Sequence, residues 1–152
     1  MKEKLFSALQ KKPYFLVLLP LFFIAHGYND FFGFFPFQFV LLNLIAALFC
    51  AAVLYLLNAA FFRDKEKKAL LAFWLLLIIL IFGTIHDVLK KLLHAGFFSS
   101  YTFLLPFLLL LFVLLVIFLK KRKSAFARSF RFLNLLFLFL LSYELTDGII
   151  HF

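Results

Sequence analysis

The side chains able to do chemistry in this chain are few, and half of its acids, histidines and cysteine gather in three short strings. The 152 residues include seven Asp or Glu, four His and one Cys. The strings are His26-Gly27-Tyr28-Asn29-Asp30, Gly83-Thr84-Ile85-His86-Asp87 and Tyr143-Glu144-Leu145-Thr146-Asp147-Gly148. In the third, Glu144, Asp147, Gly148 and His151 are spaced three, one and three apart, so on a helix they share one face. Asp87 has Lys90 and Lys91 at the distances that meet on a helix.

Three readings of His26, Tyr28, Asn29, Asp30, His86, Asp87, Glu144 and Asp147 remain open. They are helix-end residues that hydrogen-bond one another and meet interfacial water, a vestibule or docking surface for a lipid head group, or a metal or haem site. Carboxylates and imidazoles are competent metal ligands, but no fixed ligand spacing is present, so no metal site is assigned. Glu144 is the leading candidate because it lies deepest in its apolar segment, where a charge is costly without a function.

Catalytic motifs are missing from the sequence. There is no H-E-x-x-H pair, no G-x-S-x-G elbow and no P-loop. Asp147-Gly148 is not followed by the further aspartates that a membrane phosphotransferase needs. Cys50 alone makes neither a disulfide nor a zinc site. No catalytic residue and no cofactor is expected in this chain.

The elements that must position these residues follow from composition. Hydrophobic residues make up 66% of the chain and the mean hydropathy is +1.10, whereas a soluble domain is nearer half apolar. Too little polar surface is left to cover a core in water, so the expected solvent is the lipid bilayer. The net charge of +9 falls in short basic blocks between apolar runs. That is a topology signal, and no nucleic-acid partner is expected.

Five apolar segments are predicted as transmembrane helices, at 14–32, 38–60, 69–89, 100–119 and 132–150. Each is close to the roughly 20 residues that cross a bilayer. The runs are continuously apolar without alternation, which favours helices over strands. The fold class is therefore an all-α, polytopic membrane helix bundle, a single membrane domain over 1–152. The first segment follows a basic stretch as a signal peptide would, but Phe23, two residues before Ala25, spoils a small-x-small cleavage site. Leu5 to Gln10 can lie along the membrane surface. Phe31 to Phe37, broken by Gly33 and Pro36, reads as an interfacial aromatic turn. Asn43 and Asn58 are expected to hydrogen-bond a neighbouring helix, and Trp74 to pack.

Lys and Arg set the orientation. Fourteen of the sixteen fall on the N-terminal flank, the second loop and the fourth loop. Only Lys90 and Lys91 fall on the opposite side. The N-terminus is predicted inside and the C-terminus outside. The three polar strings then all lie toward the outer leaflet.

The string Leu-Pro-Leu-Phe-Phe-Ile-Ala-His-Gly-Tyr-Asn-Asp-Phe-Phe-Gly (Leu19 to Gly33), followed by Phe-Gly-Thr-Ile-His-Asp (Phe82 to Asp87), resembles the N-terminal membrane region of sulfatase-like hydrolase/transferase proteins of Bacteroidetes-type bacteria. These are similar in layout to lipoteichoic acid synthases and phosphoethanolamine transferases. The resemblance implies about five helices preceding an outward-facing domain of alkaline phosphatase fold, which carries the metal ligands and the nucleophile. It places the chain in the bacterial cytoplasmic membrane, as an anchor that presents a lipid-linked substrate. Competing readings are a self-contained small transporter, which needs polar groups through the membrane depth, and a membrane-complex assembly subunit.

Overall fold

The computed structural model describes residues 9, 11–30, 36–93, 100–121 and 126–150. The surface segment Leu5–Gln10, apart from Leu9, most of the aromatic turn, His94 and His151 lie outside them. The described residues form five helices and no strand. They are α1 (Phe15–Asp30), α2 (Phe37–Leu57), α3 (Lys65–Leu93), α4 (Tyr101–Lys121) and α5 (Ala127–Ile150), with a short 3-10 turn at Asn58–Ala60 after α2. Four of them, α2 to α5, are long and apolar enough to cross a membrane. The fifth, α1, is a shorter apolar helix of 16 residues. The chain is an all-α helical membrane bundle.

Two helices run further than their apolar cores. α3 begins at Lys65 rather than Ala69 and continues to Leu93, and α5 begins at Ala127 rather than Phe132. Lys, Glu, Arg and Ala are good helix formers, so helical order continues past the point where hydrocarbon contact ends.

The residues divide into two compact units. The first holds α1, α2, the start of α3 through Phe73, and α5. Its core is aromatic. Phe15 meets Phe73 and Phe130 edge-on, with ring centroids 5.3 and 5.1 Å apart. Phe137 packs edge-on against Phe73 at 5.7 Å and lies 6.2 Å from Phe22. Edge-to-face packing suits the ring quadrupole. In lipid it must supply what the hydrophobic effect supplies in water, because the tails outside are as apolar as the core. The remaining helical surface is apolar and open. Phe49 on α2 is 70% exposed, and Leu42 and Leu56 are exposed beside it. Large apolar side chains left open along one helix mark a surface that meets something other than water.

Within this unit α1 and α5 run parallel. Phe15 at the start of α1 bonds Asn134, 119 residues away, and Asn29 at its end bonds Glu144, 115 residues away. A near-constant separation means that the two helices advance together. α2 runs the other way. Its first turns, at Phe39 and Asn43, flank the end of α1, while Ala51 and Tyr55 flank its start.

The second unit holds α3 from Trp74 and α4. The end of α3 meets the start of α4. His86 stacks on Tyr101 with centroids 5.1 Å apart and planes 7° from parallel, and Phe82 stacks on the same ring at 6.1 Å. Trp74 is 44% exposed.

A candidate polar site at the ends of α1 and α5

Parallel packing brings the last turns of α1 and α5 side by side, and this gathers His26, Asn29 and Glu144. The Asn29 amide Nδ2 donates to the Glu144 backbone carbonyl at 2.9 Å and to its carboxylate Oε2 at 3.0 Å. His26 Nδ1 lies 3.0 Å from Oε1. An ionised carboxylate only accepts, so that contact needs the His26 proton on Nδ1. Both oxygens of Glu144 are therefore engaged, from two positions one helical turn apart on α1. Glu144 is 7% exposed, and a buried carboxylate without such partners is strongly disfavoured in a membrane.

The His26 ring links this buried acid to the surface. It stacks on Phe22, one turn earlier, with planes 4° from parallel. Its other nitrogen, Nε2, is 3.6 Å from Asp30 Oδ2. That is too long for a hydrogen bond, and charge attraction across it requires the ring to be protonated on both nitrogens. The His26 side chain is 50% exposed. The imidazole thus lies between a buried carboxylate and an exposed one.

Gly148 makes the approach possible. A Cβ added there would stand 2.9 Å from Asn29 Oδ1, so any larger residue displaces the side chain that holds Glu144. The charge pattern of the unit is polarised. Among the described residues, Asp30, Glu144 and Asp147 mark this end. Lys11, Lys12, Arg63, Lys65, Lys67, Lys68, Arg128 and Arg131 all lie at the other, where Asp64 and Glu66 offset only part of their charge.

The other candidate residues fall elsewhere. Tyr28 lines a groove between α1 and α2. Asp147 is half-buried on the last turns of α5. His86 and Asp87 belong to the second unit, where His86 Nδ1 lies 3.3 Å from Asp87 Oδ1. Asp87 faces its neighbour His86, in place of the expected pairing with Lys90 or Lys91. Among the described residues, no three of His, Cys, Asp and Glu come together in a group that would hold a metal ion.

Two polar side chains that the sequence did not single out prove structural. Asn134 is fully buried. It accepts from the Phe15 N–H at 2.7 Å and donates to the carbonyls of Leu9 and Lys12, both at 2.8 Å. It caps α1 and fixes the chain entering it. Glu66 accepts from the Phe126 N–H at 2.8 Å, capping α5 from another helix. The only available signal for Asn134 was an amide alone in an apolar run. Asn43, expected to bridge helices, instead bonds the Phe39 carbonyl of its own helix. Asn58 is buried, but its amide comes only within 3.5 Å of the Lys68 carbonyl, a marginal bond.

Comparison with protein families, with characterised proteins and with solved structures returns no match.

Proposed function

We propose that the chain is a multi-pass membrane module of a bacterial cytoplasmic membrane. It anchors a sulfatase-like, envelope-modifying hydrolase/transferase and holds the polar head group of that enzyme's lipid-linked substrate at the outer leaflet. The observation that carries the head-group role is the link from buried Glu144 through Nδ1 of His26 to a half-exposed imidazole beside Asp30. A carboxylate kept only for packing has no need of a solvent-facing partner, whereas a head-group site needs an exposed polar contact held rigid from below.

Two features support the anchoring role. α1 and α5 run parallel, so the chain leaves α5 at the end where the polar cluster lies. That end has none of the described Lys and Arg of its unit, as expected of an outer face. The aromatic layer of Phe15, Phe22, Phe73, Phe130 and Phe137 straddles the Asn134 level and fills the unit on the basic side of Glu144, which disfavours transport through this unit.

An immunoblot against the N-terminal segment tests the anchoring role. The native product is expected to run several times larger than 17.8 kDa, and a band at that mass overturns it. The head-group role is tested in the full protein with His26→Ala, Asn29→Ala and Glu144→Ala. Each is expected to lower turnover of the lipid substrate about tenfold, the equivalent of one charge-assisted hydrogen bond. Normal turnover in all three removes it.

A further inference from the structure

The seam between α1 and α2 opens at its outer end into a groove of about 260 Å3. Phe23, Ile24, Gly27 and Tyr28 of α1 form one wall, with Phe39 and Asn43 of α2 on the other. We propose that this groove is a binding site for one acyl chain of a zwitterionic membrane lipid, with the lipid's ammonium group directed to the acidic end of α1. The inference rests on the membrane reading of the bundle and is independent of the anchoring role.

The occupant follows from the chemistry of the walls. Water needs two to four polar partners, and the Asn43 amide already donates to the Phe39 carbonyl. The remaining lining is almost wholly apolar. α2 is long and apolar enough to cross the bilayer, so the medium against its exposed side is hydrocarbon. There is open space beside Gly27, where a built Cβ meets nothing within 4 Å. The groove lies within one turn of Asp30, whose side chain is 57% exposed.

Charge complementarity selects the head group. The described ionisable residues at this end of the unit are acids and His26, and its lysines and arginines lie at the far end. An anionic head group therefore meets repulsion, and an ammonium group meets Asp30. A second copy of the chain fits less well, because Asp30 would face the matching acid of its partner unless the copies pack antiparallel.

The test uses the whole chain in liposomes with phosphatidylcholine or phosphatidylglycerol probes carrying a diazirine on the acyl chain, and maps adducts by peptide mass spectrometry. The phosphatidylcholine probe is expected to label 23–28 and 39–43 several-fold more strongly than the exposed Leu109 and Leu110 of α4, which report annular lipid. Gly27→Phe, whose Cβ meets no neighbour within 4 Å, is expected to fill the groove and bring that excess down to the annular level. Gly83→Phe, at a glycine of the other unit whose Cβ position is likewise open, is expected to leave it unchanged. Labelling equal to α4 and indifferent to Gly27→Phe means annular lipid only and overturns the site. Absence of groove labelling means that protein covers it, and also overturns the site. Preference for the phosphatidylglycerol probe overturns the head-group assignment.

Discussion

Asn134 shows how much one side chain can carry in a lipid-solvated fold. It satisfies an N–H and two carbonyls at the entry to α1, groups that lipid cannot satisfy. In Asn134→Ala all three lose their partner. Each unsatisfied buried group costs about 1–3 kcal/mol in soluble proteins, while measured interhelical bonds in membranes average about 0.6. The expected loss is therefore about 2–3 kcal/mol, read by unfolding the bundle in mixed micelles of rising SDS fraction. Asn43→Ala, which removes only an exposed bond within one helix, should stay within about 0.5 kcal/mol. Equal effects of the two would show that Asn134 is not a clasp. Gly148 offers a sharper test. Alanine is the better helix former by about 1 kcal/mol, yet its methyl would meet Asn29 Oδ1 at 2.9 Å. Gly148→Ala should stabilise the bundle when Asn29 is already alanine, and destabilise or leave it level when Asn29 is present. A coupling of about 1–2 kcal/mol between the sites is expected, and simple additivity would refute the close approach.

At the scale of elements, the five helices were legible because a run of about 20 apolar residues in lipid has one regular solution. Glu144, His26 and Asn29 were legible as polar groups at helix ends. Their meeting was not, because it depends on which helices become neighbours, and parity of crossings says only that α1 and α5 point the same way. The caps were hidden for the same reason. Glu66 resembles an ordinary acid in the first turn of its own helix, where it suits the dipole, but its partner Phe126 lies 60 residues on. Phenylalanines were opaque as well. Phe15 and Phe130 are core while Phe39 and Phe139 are exposed, and continuous apolar runs carry no periodicity to separate them. Glu66→Ala should therefore loosen the start of α5 specifically, costing about 1 kcal/mol as a lost N-cap does. Glu66→Gln, which keeps an acceptor oxygen, should cost less. Hydrogen exchange at the Phe126 amide distinguishes them: faster in the alanine variant, near wild type in the glutamine one. Unchanged exchange in both would show that water serves the amide equally well.

For the whole molecule the open question of topology is α1, whose 16 residues span about 24 Å at 1.5 Å per residue, against a hydrocarbon thickness of about 30 Å. Length alone would make it a partial insertion, leaving four crossings and both termini on one side. Its packing argues for a full crossing. α1 advances in step with α5 from Phe15 to Asn29, and α5 is long enough to cross. Asn134 also ties the Lys12 carbonyl to α5 one turn past Arg131, so Lys11 and Lys12 sit near the level of Arg131. A shortfall of a few ångströms is met by local thinning and snorkelling of those lysines, at fractions of a kcal/mol per ångström. Five crossings with the basic end inside put Lys11 and Ala59 in the cytoplasm and Thr146 outside. In a Cys50→Ala background, Thr146→Cys should react with a membrane-impermeant maleimide added to intact spheroplasts. Lys11→Cys and Ala59→Cys should react only after permeabilisation. Labelling of Lys11→Cys and Thr146→Cys from the same side would mean that α1 and α5 do not share a crossing, and would undo the parallel arrangement on which the polar cluster depends.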